Sequence, residues 1–217
     1  MACKSLVYEK KPFLYIKLIV EICRVNLNYN SIEKKLSLIY KFRFYNTGRN
    51  DKNMKSEYTH IKHEFEPVFD EKSEILVLGT LPSVKSRENN FYYGHSQNRF
   101  WKLIAALCGE ETVPQTIEEK KKMLLRNHIA VWDVVLECDI IGSSDSSIKN
   151  VKPTDLSVIL NNAKIKNIYA NGGKAYQLYM KYQYKNIGRE IIKLPSTSPA
   201  NAAYSLEKLI TCWEGII

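Results

Sequence analysis

The feature that most narrows the possible folds is a set of short, nearly continuous apolar runs separated by segments of helical character. The runs are Ile75-Leu76-Val77-Leu78, Ile129-Ala130-Val131-Trp132, residues 165–169 and residues 190–194. A strand with one wet face alternates apolar and polar residues. A strand apolar at successive positions has to be covered on both sides, which is the signature of a parallel sheet between helices. Segments 98–107, 117–126, 155–162, 175–182 and 202–213 supply the helical stretches and are long enough for crossovers. The expected architecture is therefore α/β: a three-layer α/β/α domain over residues 55–217 with a central, mainly parallel four-stranded sheet. Thr116 followed by Glu119 forms a capping box ahead of the second helix. Pro199 is expected in the first turn of the last helix, where its missing N–H is harmless.

Charge separates this domain from what precedes it. The chain carries 32 Lys+Arg and 23 Asp+Glu, a net +9, but residues 1–54 hold 11 of the former and only 4 of the latter. The apolar part of that segment, residues 13–27, is broken by Lys17, Glu21 and Arg24. A spanning helix needs about 20 mostly apolar residues, and a secretory signal needs an unbroken apolar centre with a small-residue cleavage site. No membrane segment is expected, and the cytoplasm is the expected compartment. Two readings remain for residues 1–54. One is a basic arm that holds phosphates; the other, favoured here, is a poorly structured extension or a start assigned upstream of Met54. Hydrophobic and charged contents of 45% and 25% describe an ordinary globule. The five cysteines are odd in number, scattered and without a CxxC pair, so they read as reduced thiols. His60 and His63 lie close together without an HExxH or partnering cysteines, and neither metal nor cofactor is expected.

In open α/β sheets, ligands meet the carboxyl ends of the strands. There this sequence is unusual. The first strand is followed by Gly79-Thr80-Leu81-Pro82-Ser83-Val84-Lys85-Ser86-Arg87 and then by Tyr92-Tyr93-Gly94-His95-Ser96-Gln97-Asn98-Arg99-Phe100-Trp101. The second strand ends at Asp133, the third runs into Asn171-Gly172-Gly173, and the fourth into Pro195-Ser196-Thr197-Ser198-Pro199-Ala200-Asn201. Small, hydroxylic and proline residues suit close backbone approach to phosphates, and the aromatics offer stacking surfaces.

Residues 79–101, the Trp132-Asp133 pair and residues 196–201 together resemble the uracil-DNA glycosylase superfamily, and within it the deoxyinosine (hypoxanthine-DNA) glycosylase branch. Residues 82–87 followed by 91–101, 142–150 and 195–201 look like that branch's signature, and the resemblance spans roughly residues 60–215. The HxxNRFW element also resembles the mismatch-specific uracil/thymine glycosylases. Nothing comparable covers residues 1–54. The resemblance implies a monomeric, monofunctional DNA glycosylase. It would act on DNA containing deaminated bases in base excision repair and leave an abasic site.

Two departures from the wider superfamily follow. The slot two residues after the first-strand glycine, where relatives place a water-positioning Asp or Asn, holds Leu81. The position that opens the last motif, often His, looks like Ser196. The resemblance transfers the catalytic role to Asn98, whose amide orients water or donates to the base; its plainer reading is a cap on the helix that follows. Asp133 occupies the position that reads the base. A carboxylate only accepts hydrogen bonds, so it favours the N–H of hypoxanthine or uracil over the lone pair of adenine. A cap on a following turn is its other reading. Gly79, Thr80, Leu81, Tyr93, Phe100 and Ser196 complete the expected base pocket. Pro82, Ser83, Lys85, Arg87, Ser198 and Asn201 are the expected phosphate contacts. The alternatives are an enzyme that prefers uracil and a catalytically silent binder of damaged or single-stranded DNA.

Overall fold

A computed structural model describes residues 57–217. The expectations for residues 1–54 lie outside the described residues. Four strands form the parallel sheet: β2 (Ile75–Gly79), β3 (Ile129–Asp133), β6 (Asn167–Asn171) and β7 (Ile192–Leu194). Their order across the sheet is β3-β2-β6-β7, with every pairing parallel. All five residues of β3 are buried, as are four of the five in β2 and in β6. The unbroken apolar runs thus mark strands covered on both faces, as anticipated.

Parallel strands need crossover connections, which as a rule are right-handed, and the helices lie in them. Between β2 and β3 lie α1 (Val84–Glu88), α2 (Phe100–Leu107) and α3 (Ile117–Arg126). Between β3 and β6 lies α4 (Ser157–Leu160), and between β6 and β7 lie α5 (Gly173–Tyr182) and α6 (Tyr184–Ile187). The chain steps one way from β2 to β3 and the opposite way from β3 to β6, so a constant hand puts these groups on opposite faces. The last helix, α7 (Leu206–Trp213), packs its Trp213 ring edge-on against Phe100 of α2. The Thr116–Glu119 capping box is present at the start of α3.

Two local expectations are corrected. Pro199 does not open the last helix: α7 begins at Leu206 under a Ser205 cap, and Pro199 lies exposed in the preceding loop. The Ser205 hydroxyl accepts the Lys208 N–H, a start signal that Pro199 does not provide. The expected helix over 155–162 shrinks to the single turn of α4.

A second sheet, antiparallel, was not anticipated. It joins β1 (Thr59–Lys62), β4 (Val135–Ile140) and β5 (Lys149–Pro153) in the order β1-β4-β5. Only Val134 separates β3 from β4, so the chain leaves the parallel sheet at Asp133 and enters the antiparallel one at once. The Val134 and Val135 N–H groups donate back to the Gly79 and Thr80 carbonyls at 2.9 and 3.1 Å, tying the junction to the end of β2. The outer edge of β3 is closed by an antiparallel bridge between Val68 and Val131. Among the described residues no helix is long and apolar enough to cross a membrane.

Candidate active site

Parallel pairing sets Gly79 directly opposite Asp133, so the first two strands end side by side. Asp133 is buried, and its Oδ2 accepts a hydrogen bond at 3.0 Å from Nε2 of the equally buried His63. Its backbone carbonyl accepts from Thr154 Oγ1 at 2.8 Å. The carboxylate is held by His63 rather than by the backbone of a following turn, which removes the capping alternative. Gly79 is required here. A Cβ at that position would fall well inside contact distance of Asp133 Oδ1, and 3.3 Å from the Tyr93 hydroxyl.

Tyr93 is built into the same corner under strain. Its φ of 52° lies in the left-handed region, which bulky side chains rarely occupy. Its ring stacks on Phe100 with centroids 3.7 Å apart, so one aromatic face is already covered. Its hydroxyl is buried without a hydrogen-bond partner among the described residues. Asn171 stands nearby, with its Oδ1 and one of its two Nδ2 hydrogens engaged by Thr197. Burial, reinforced by the Asp133 charge, pushes the Tyr93 hydroxyl well above the ordinary tyrosine range, as it does for Tyr92. Tyr93 therefore keeps its proton and remains a donor.

Asn98 precedes α2. Its Oδ1 accepts the Phe100 N–H at 3.0 Å in a turn that leads into α2, but the cap position itself falls on Arg99, which makes no side-chain cap bond, so the capping reading is replaced by a turn just outside the helix. Only an oxygen can accept from that N–H, which leaves the Nδ2 group of Asn98 to donate elsewhere. The loop that carries Tyr93 and Asn98 is fastened by aromatics. Phe91 stacks on Trp101 at 5.6 Å, and the Trp101 Nε1 donates to the Tyr92 carbonyl at 3.1 Å. Leu81 is half-buried and packs against the core.

The other expected residues fall into two loops with similar construction. In the first, Ser83 caps α1 by accepting the Ser86 N–H at 3.2 Å, and the Ser86 hydroxyl accepts the Gly94 N–H at 3.0 Å. Arg87 donates to the Pro82 carbonyl at 2.7 Å, while Lys85 pairs with Glu88 on the surface at 2.6 Å. In the second, the guanidinium of Arg99 donates to the carbonyls of Thr197, Ser198, Asn201 and Tyr204. Asn201 Nδ2 closes the same loop on the Ser196 carbonyl at 2.9 Å, and the Ser196 and Ser198 hydroxyls accept the N–H groups of Ser198 and Ala200, both at 3.2 Å. Gly172, at φ 105°, lies so close that a Cβ would stand 2.8 Å from that of Ser196. Arg87, Arg99 and Asn201 thus shape the loops; the Ser83 and Ser86 hydroxyls share a hydrogen bond at 3.0 Å that engages one of their two protons, while the Ser196 and Ser198 hydroxyls act as acceptors and retain protons to donate.

Four residues of this site were not anticipated. The sequence offers His63 only as half of a close pair with His60; the structure turns it to Asp133, whereas His60 bonds Asp139 at 2.9 Å. A signal existed, because Ile61 and His63 share the buried face of a short alternating run. Asn171 and Thr197 form a buried two-way pair, Nδ2 to Oγ1 and backbone N–H to Oδ1, both 2.9 Å. Asp145 lies exposed in the loop of residues 142–147 that links β4 to β5. Among the described residues no three His, Cys, Asp or Glu side chains converge as a metal ion would need.

Comparison with known proteins agrees with this geometry. Residues 66–216 match the family model described as the uracil DNA glycosylase superfamily. A protein of Methanosarcina acetivorans named hypoxanthine DNA glycosylase is 36% identical over 157 residues, covering 72% of this chain and 98% of that protein. One of the same name from Methanosarcina barkeri is 36% identical over 115 residues, covering 52% of this chain and 73% of that protein. The solution NMR structure of a Methanosarcina acetivorans protein, provisionally described as a uracil DNA glycosylase, superposes with a TM-score of 0.61. It is 34% identical and covers 73% of this chain and 99% of that one.

Proposed function

This chain belongs to the uracil DNA glycosylase superfamily, and from that premise we propose that it is a DNA-deoxyinosine glycosylase. It hydrolyses the N-glycosidic bond of hypoxanthine in DNA, accepts uracil as a secondary substrate, and leaves an abasic site for base excision repair. The observation that carries this reading is the Asp133 carboxylate, anchored at Oδ2 with Oδ1 open beside Gly79. Similarity to relatives named hypoxanthine DNA glycosylase supports the same substrate.

The target nucleotide has to leave the helix before its base can be gripped. Hypoxanthine presents an N–H where adenine has a lone pair. A fixed acceptor therefore attracts the first and repels the second, a contrast worth about 1–3 kcal/mol. Tyr93 supports one face of the pocket, with Phe100 behind it. As the C–N bond breaks, positive charge builds on the sugar and negative charge on the base, so a donor aimed at the base strengthens in the transition state. Asn98 Nδ2 is that donor, and it also holds the attacking water near C1′. With Leu81 in the usual water-positioning slot, no carboxylate shares this task. Ser83 and Ser198 donate their hydroxyl protons to the phosphates beside the flipped nucleotide, and Lys85 adds charge. Water, not lysine, is the nucleophile, so the strand stays intact. The enzyme acts as a cytoplasmic monomer without metal or cofactor; the free thiols of Cys108, Cys138 and Cys212 fit a reducing compartment.

The test is direct. Purified protein incubated with inosine duplex yields strand breaks only after alkali, and it cleaves inosine faster than uracil in matched oligonucleotides. Faster uracil excision would reverse the substrate order. No alkali-dependent breaks with either substrate would leave only a silent DNA binder.

A further inference from the structure

We infer that His63 is a positioning residue for base recognition: it fixes the Asp133 carboxylate so that Oδ1 alone faces the base. This rests on the reading of Asp133 as the base acceptor. His63 and Asp133 are 70 residues apart in sequence, one just past β1 of the antiparallel sheet and the other at the end of β3 in the parallel sheet, yet their side chains are 1% and 6% exposed and meet at 3.0 Å.

His63 itself has little freedom. It directly follows β1, and its backbone N–H donates to the Leu136 carbonyl of β4 at 2.7 Å. Its ring lies 4.5 Å from that of Phe65 and 5.9 Å from that of Tyr92. Tyr92 is anchored in turn by its hydroxyl on the Glu66 carbonyl at 2.9 Å. An imidazole boxed in this way aims Nε2 in one direction. Asp133 has two oxygens and rotates about its terminal bond. A donor on Oδ2 removes that rotation and compensates one oxygen of a buried carboxylate. Oδ1 is left on the Gly79 side, in space that exists only because Gly79 lacks a Cβ. The small antiparallel sheet thereby acquires a role: it delivers the group that aligns the reader at the end of the parallel sheet.

The experiment is single-turnover excision of hypoxanthine from an inosine duplex, with thermal unfolding of each variant measured alongside. His63→Leu keeps the apolar packing and loses the donor; the expected loss is about 10–100-fold, the worth of a hydrogen bond to a buried charge. His63→Gln places an amide nitrogen where Nε2 sits and is expected to stay within a few-fold of wild type. His63→Asn, polar and small enough to fold, reaches only the Nδ1 position and is expected to fail as Leu does. In an Asp133→Ala background, His63→Leu is expected to cost nothing further, because no carboxylate remains to be aimed.

Activity unchanged in both Leu and Asn variants, with Asp133→Ala still impaired, would overturn the role of His63 and leave the Asp133 reading intact. Equal losses for Leu, Asn and Gln that persist undiminished in the Asp133→Ala background would also overturn it, reducing His63 to packing. Full activity in Asp133→Ala would remove both the acceptor and its positioner.

Discussion

The two halves of the strand-end cleft use similar residues for opposite ends. Where β6 and β7 finish, most polar groups answer another, the hydroxyl protons of Ser196 and Ser198 being the exception. Asn171 and Thr197 bond twice, Asn201 closes on Ser196, and Arg99 gathers four carbonyls. Where β2 and β3 finish, polar atoms are left without a partner in the fold: the buried Tyr93 hydroxyl and Trp132 Nε1, Asp133 Oδ1, and Nδ2 of the half-buried Asn98. Buried polar groups are normally satisfied within the fold. A set that closes on itself therefore reads as scaffold, and a set with spare atoms reads as a site awaiting a partner. The polar loop after β7, which looks like a place for chemistry from composition alone, is mostly a brace.

Substitutions can break or sharpen this contrast. The largest effect is expected on the braced side. Asn171→Ala strands the Thr197 N–H and hydroxyl in a buried position, which costs about 3 kcal/mol of stability, seen as a lower urea midpoint at unchanged slope. Arg99→Lys keeps the charge but not the fork that reaches several carbonyls. A loss of about 2 kcal/mol is expected, together with faster proteolysis within residues 196–205. On the open side the signs part. Tyr93→Phe removes an unpartnered buried hydroxyl and should raise stability by about 1 kcal/mol, while hypoxanthine excision falls several-fold. If Tyr93→Phe lowered the melting temperature, the hydroxyl would belong to the scaffold and the contrast would blur.

Much of this was legible beforehand, for identifiable reasons. Strands β2, β3 and β6 announce themselves because burial on both faces demands uninterrupted apolar residues, and the Thr116–Glu119 box marks the start of α3. The antiparallel sheet was silent. In β1 only Ile61 is buried, β4 mixes Glu137 and Asp139 with its apolar residues, and β5 is Lys-Asn-Val-Lys-Pro. Such strands are specified by their partners more than by their own pattern. Asp133 drew notice through motif resemblance because it ends a strand, and Tyr93 and Asn98 because they lie in the motif between α1 and α2. His63 was not, since its partner lies 70 residues away. Nor does composition separate Arg99, a loop clamp, from a free phosphate contact. The net charge was equally poor guidance, because most of the excess lies in residues 1–54, outside the described fold.

The central claim is that the spare atoms at the ends of β2 and β3 carry the reaction. Its most direct test is single-turnover hypoxanthine excision by Asn98→Ala, with the melting temperature taken on the same sample. The account predicts a rate lower by about 10²–10³-fold, the usual worth of one transition-state donor. It also predicts a stability loss of only about 1 kcal/mol, for the lost hydrogen bond to the Phe100 N–H. A variant that melts as predicted yet excises hypoxanthine at nearly the wild-type rate would contradict it.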